Sequence, residues 1–304
     1  MRTLFEGPER LTRDDAIKTY RYLRIGMVGA VFFLAAAVAI EHDKVGCWQT
    51  SISAYYYTPA RAIFVGALIA IGLALIVIKG RTSFEDVCLN IAGMLAPVVA
   101  IVPITGVGKC WSIPPNPLPI QNGKLADWVI ANVENNFDAL LLAGAFGLAI
   151  AAVVALFVNR GVRGTIQTVD TGTLVSLAFT AAALAFGWWL IETWSGFYKQ
   201  VHGLAALFMF VFLTGAVIAK ALSNRDGESR TYFVLYAVLA FLMPVGGIAI
   251  TVLGIGGDHE TFVVEAYEIV LFAVFWLIQT WENWDEGSPA PAASEPALLG
   301  RSPA

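Results

Sequence analysis

Charged side chains are absent from long stretches of this chain. Uninterrupted apolar runs cover Ile25–Ile40, Ala62–Ile78, Val87–Gly108, Ala139–Val158, Thr171–Ile191, Val201–Ala219 and Thr231–Gly257. An eighth, Phe262–Trp281, is broken only by Glu265 and Glu268. Crossing a hydrocarbon core of about 30 Å takes about 20 helical residues, and these runs are near that length. Backbone polar groups inside lipid must pair within their own segment, so the runs predict helices. A membrane barrel would instead show short stretches alternating apolar and polar residues. The pattern therefore predicts an all-α, polytopic transmembrane bundle of about eight spans, one domain over residues 1–284. The Pro/Ala/Ser-rich tail 285–304 has too little apolar character to fold and is expected to be disordered.

Composition supports this reading. Of 304 residues, 58% are hydrophobic and 14% charged, with mean hydropathy +0.70, whereas soluble domains carry about 25% charged residues. A net charge of −4 argues against nucleic acid as a partner. Basic residues gather on cytoplasmic loops. With the N-terminus inside, only Lys44, Arg61, Lys109, Lys124 and Lys199 of the 19 Lys and Arg fall outside. Both termini are thus expected in the cytoplasm, in a plasma (inner) membrane. Membrane lipids are the expected partners, with a second copy or another membrane protein as a further one. A rival reading has a signal peptide ending near Ala37-Val38-Ala39, which would remove the first span.

Residues 9–24 read either as a short interfacial helix or as a solvated tail. Pro114, Pro115, Pro117 and Pro119 predict an extended outer loop over 109–137. Pro97, Pro103 and the Pro244–Gly246–Gly247 set should kink or loosen their helices. Gly66, Ala70 and Ala74 form a small-residue stripe suited to close helix contact. Cys47 and Cys110 share the outer side, where a disulfide can form. Cys88 lies inside and should stay a thiol.

The same topology collects the candidate chemistry at the outer face. His42, His202 and His259 all fall there, among Glu41, Glu192, Asp258 and other acids. Imidazole with carboxylate is a zinc ligand set, so a divalent metal held by these histidines is one expectation. Solvated or capping histidines, and a metal-free acid–base role, are the others. Carboxylates within a span are costly and normally face protein or water. Glu265 and Glu268 start a stripe running through Phe272, Phe275 and Gln279 to Glu282, which predicts a face turned into the bundle. The stripe either lines a cavity or caps and pairs near the interface. The most distinctive segment is SISAYYYTPAR, residues 51–61, with Tyr55 and Arg61 as candidate pocket residues beside Glu192, Glu265 and Glu268, and Ser53 as a catalytic candidate. It carries no GxSxG elbow, so an ordinary hydrolase triad is not indicated.

Ser51-Ile52-Ser53, Pro59, Ile63-Phe64, then Asn90 and Gly93 in the next span, resemble the DRAM-like membrane proteins. These include damage-regulated autophagy modulators, lipid-anchor remodelling proteins and bacterial families of unknown function. His202 with Gly203, Ala205 and Ala206 is similar to a histidine that opens a later span there. The family's acidic residue after the Ile-Ser pair is Ala54 here. Its usual six spans would make the fourth and fifth an insertion. The resemblance implies a membrane-embedded fold near lipid biology, and no established catalytic activity follows from it. Three readings follow: a non-enzymatic, lipid-associated or accessory envelope protein; a small-solute or ion transporter or channel using Glu265 and Glu268; and a lipid-directed, metal-dependent or metal-free hydrolase. The hydrolase reading draws on Ser53, His202, His259 and an acid such as Asp258.

Overall fold

The computed structural model describes residues 8–106, 110–121, 124–161, 171–225 and 230–284. The tail from Asp285 and the loop residue Lys109 lie outside these. Among the described residues eight helices run in order: α1 Pro8–Val45, α2 Arg61–Val77, α3 Ser83–Ile101, α4 Asp127–Gly161, α5 Thr171–Thr193, α6 Phe197–Ser223, α7 Arg230–Val252 and α8 Glu260–Glu282. Among the described residues, strand is limited to a small hairpin, β1 Ile120–Gln121 against β2 Lys124–Leu125. All the helices except α2 are long and apolar enough to cross a membrane, seven in number. At 17 residues, α2 spans about 26 Å at 1.5 Å per residue. This is the helix set of a multi-pass membrane protein.

Helix limits follow local chemistry more closely than charge-free runs do. α1 continues unbroken from Pro8 through the first span to Val45, so 9–24 is neither a separate interfacial helix nor a tail. α3 stops at Ile101, two residues ahead of Pro103, whose ring disfavours helix in the residue before it. α7 ends at Val252, and Gly254, Gly256 and Gly257 then turn the chain at φ +61°, +102° and +54°. α4 begins at Asp127, well before Ala139. Its charged first turns are solvated helix, and the whole helix reaches about 52 Å. The expected extended loop is correspondingly shorter and holds the hairpin.

The chain forms two compact units. One comprises residues 1–100, 106–114 and 203–304; the other comprises 101–105 and 115–202. In the first, α1 packs against α2 and α8, and α8 packs against α7. α2 and α3 touch backbone to backbone: a Cβ on Gly72 would lie 2.7 Å from the Gly93 carbonyl. Small residues at such a crossing allow close approach. Of the Gly66–Ala70–Ala74 stripe only Ala74 is buried; Gly66 and Ala70 are exposed, and nothing lies near Gly66. Met27, Leu75, Leu89, Tyr236, Phe275 and Trp276 are fully buried in this unit.

The second unit is built on α4 and α5. Gly144 lies under the Leu184 side chain, and Phe137 meets Phe197 edge to face at 5.1 Å. Only 6% of the apolar window of α4 and none of that of α5 is buried, so this pair turns most of its apolar surface outward.

Candidate functional site

One end of the first unit is tied together around a disulfide. Cys47 and Cys110 are bonded, with Cα atoms 6.0 Å apart. Gln49 Nε2 donates to the Cys110 carbonyl at 2.6 Å, and Thr50 Oγ1 to that of Gly106 at 3.0 Å. Buried Glu41 accepts from Ser112 N–H and Oγ, each at 2.8 Å. Two further bonds reach the start of α8: Phe262 N–H donates to the Thr50 carbonyl at 3.1 Å, and His259 Nδ1 lies 3.0 Å from the Gln49 carbonyl. His42 stacks on Trp48 at 3.7 Å.

The SISAYYYTPAR segment folds as a buried 3₁₀ turn, Ser53–Tyr57, leading into α2. A turn leaves its first N–H groups without internal acceptors, and here α8 supplies one. Glu265 accepts from Ile52 N–H at 2.5 Å, Ser53 N–H at 3.2 Å and Ser53 Oγ at 2.8 Å. Ser51 Oγ takes Ala54 N–H at 2.9 Å. Tyr55, Tyr56 and Tyr57 are buried behind this turn. Burial pushes all three phenols above their ordinary value, with Arg61 opposing it at Tyr56 and Tyr57. Arg61 Nη2 donates to Tyr56 Oη at 2.6 Å, and its guanidinium sits 4.2 Å over the ring. Ser53, Arg61 and Glu265 thus meet around one turn, each occupied by the fold.

Glu268 lies one turn further along α8 and differs sharply. It is 7% exposed. Its Oε2 is buried with no hydrogen-bond partner, and no ion pair reaches it among the described residues. Gly247 of α7 faces it, and a Cβ there would stand 3.1 Å from Oε1. The neighbouring Tyr267 hydroxyl donates to the Leu242 carbonyl at 2.9 Å. Gly246 lies against the Tyr267 ring, with no room for a Cβ.

The stripe continues down α8 as expected, but aromatic rings interrupt its polarity. Phe272, Phe275 and Trp276 pack on one another, and Phe275 meets Tyr236 of α7 at 5.7 Å. Past these rings lies a second polar cluster. Lys220, 1% exposed, pairs with Glu282 at 3.0 Å. Glu282 also accepts from Tyr236 Oη at 2.7 Å and Asn224 Nδ2 at 2.9 Å. Buried Glu85 accepts from Arg81 N–H at 2.8 Å and Gln279 Nε2 at 3.4 Å. Arg24 is buried in the same unit. Arg21 donates to the Trp284 carbonyl and lies 4.5 Å over the Trp284 ring, so the beginning of α1 and the end of α8 sit together. Sequence reasoning missed this cluster. Its signal was present: each of its charged residues sits at the edge of an apolar run on one predicted side.

The remaining candidates are placed elsewhere. His202 belongs to the second unit, where its Nδ1 lies 2.6 Å from the Val102 carbonyl. Asp258 is exposed in the turn before α8, and Glu192 is exposed at the end of α5. Ser53 Oγ donates to the Glu265 carboxylate, and among the described residues no imidazole hydrogen-bonds to it. Among the described residues, no group of three or more His, Cys, Asp or Glu side chains could hold a metal ion. Cys88 is a buried free thiol. No family model, curated protein or solved structure matches this chain.

Proposed function

We propose that this chain is a multi-pass protein of the plasma (inner) membrane, with both termini cytoplasmic. In this reading it serves as a non-catalytic, lipid-associated component of the envelope, related in kind to the DRAM-like proteins. The observation that carries the reading is the occupation of the SISAYYYTPAR turn. Glu265 and Ser51 satisfy its donors, so its serines cap structure where a hydrolase would expose a nucleophile. Aromatic rings between Glu268 and the Lys220–Glu282 cluster argue against a polar conduit along α8. The outward-facing apolar surfaces of α4 and α5 suit contact with acyl chains. Their folding as a separate unit is what an insertion into a six-span plan would give. The Arg21–Trp284 contact agrees with termini on one side.

Impermeant maleimide labelling of intact cells tests the topology. Lys44→Cys should react and Lys79→Cys should react only after lysis; the reverse pattern would overturn the orientation. Native mass spectrometry of the purified protein should retain phospholipid. Turnover of phospholipid or ceramide that is lost in Ser53→Ala would replace this reading with the hydrolase.

A further inference from the structure

We propose that Glu268 is an intramembrane cation site, its carboxyl occupied by a proton or an alkali cation that this chain does not itself supply.

The inference goes beyond the envelope role and stands on geometry alone. Glu268 lies eight residues into α8, about 12 Å from the start of the helix. A carboxyl withdrawn from water needs a donor or an opposite charge, and acids within spans commonly mark ion or proton sites. The groups placed beside it on α7 and α8 do not serve. Tyr267 spends its proton on the Leu242 carbonyl. The adjacent acid, Glu265, holds the donors of Ile52 and Ser53. α7 presents Gly247, which has no side chain to offer.

The surroundings also fit a small occupant. Gly247 leaves the space beside Oε1 that any other residue would fill. Carboxylate oxygen suits hard cations. Toward the Lys220 cluster the aromatic rings of Phe272, Phe275, Trp276 and Tyr236 intervene. The geometry favours binding over conduction.

Dicyclohexylcarbodiimide tests the site on the purified full chain. The acid proton passes to a carbodiimide nitrogen while a carboxyl oxygen bonds to the central carbon; the adduct rearranges to a stable N-acylurea. Peptide mapping should find the adduct on Glu268, absent in Glu268→Gln, with Glu265 unmodified. Labelling in choline chloride is then compared with sodium, potassium and lithium chloride at equal ionic strength. Protection by one alkali salt, with a melting temperature raised in wild type and not in Glu268→Gln, identifies that cation. Labelling that no salt changes identifies the proton. Glu268 unmodified in every salt, together with identical salt dependence of melting in wild type and Glu268→Gln, would overturn the proposal. Modification of Glu265 in its place would do so too.

Discussion

The two ends of the first unit are fastened by different means. At the Lys220 end, side chains from several helices share buried charges directly, with Glu282 serving Lys220, Tyr236 and Asn224 at once. At the disulfide end, loops are strapped to helices by a covalent bond and by carboxylates that accept backbone N–H groups. Ion pairs between helices fix how helices pack; capping acids fix the path of a loop. Glu268 lies between the two systems and belongs to neither. A buried charge unclaimed at either end therefore reads as a site, whereas Glu41, Glu85, Glu265 and Glu282 read as construction.

Breaking the helix-to-helix end should have the largest effect. Lys220→Met keeps the stem but removes the cation that pairs with Glu282 at 3.0 Å. Removing one partner of a buried pair costs about 3–5 kcal/mol. Glu282 keeps its Tyr236 and Asn224 donors, so the double variant with Glu282→Gln should recover much of the loss. Melting in detergent measures both. A double variant as unstable as Lys220→Met would show that the pair's charge is not the cause.

The covalent strap comes next. The disulfide closes a separation of 63 residues. Removing a native bridge typically costs about 2–5 kcal/mol, so Cys47→Ser with Cys110→Ser should melt lower. The change should localise to the disulfide end, with faster hydrogen exchange at Thr50–Tyr57 and none at Asn224. Uniform loosening of both ends would erase the distinction between them.

Much of this architecture was legible in the sequence because a bilayer imposes one simple rule on composition. Apolar runs located the eight described helices, and charge counting put Cys47 and Cys110 on one side, where they are bonded. The limits were less legible, since Asp127, Glu134 and Asp138 look like loop residues although helix continues through them. The stripe along α8 was visible at helical spacing. That Glu265 is spent on the Ile52–Ser53 turn, while Glu268 Oε2 has no hydrogen-bond partner among the described residues, depends on contacts more than 200 residues apart in sequence. Periodicity carries no information on such pairings. The Lys220–Glu282 cluster escaped for the same reason: charge counting places residues on a side, and cannot pair them.

Loss of one capping acid should cost less than loss of the strap. Glu265→Ala orphans two backbone donors and the Ser53 hydroxyl, at about 2–3 kcal/mol. Glu265→Gln retains an acceptor and should fall between. The same turn should respond to alkali. Burial raises the phenols of Tyr55, Tyr56 and Tyr57 above 10.0, so the folded chain holds their protons more tightly than the unfolded one. That stability is fully present below pH 10 and is lost as pH rises through the raised values. Tyrosinate absorbance should show late-titrating phenols whose ionisation accompanies melting; three phenols titrating normally would mean an open turn.

The smallest change in stability is expected where the site itself is touched. Alanine in a helix is favoured over glycine by about 1 kcal/mol, and at Gly247 that gain meets a Cβ 3.1 Å from Glu268 Oε1. A carboxylate can shift by a few tenths of an ångström, so Gly247→Ala should melt within about 1 kcal/mol of wild type. Its adjacent counterpart is a strict control. At Gly246 a Cβ would collide with the Tyr267 ring, which can yield only by giving up the Leu242 bond, so Gly246→Ala should be clearly destabilised. Gly247→Ala should instead reduce carbodiimide labelling of Glu268 at unchanged stability, because it narrows the space beside the acid. Labelling that survives Gly247→Ala in full would show that the reagent reaches the carboxyl from the Oε2 side, away from α7.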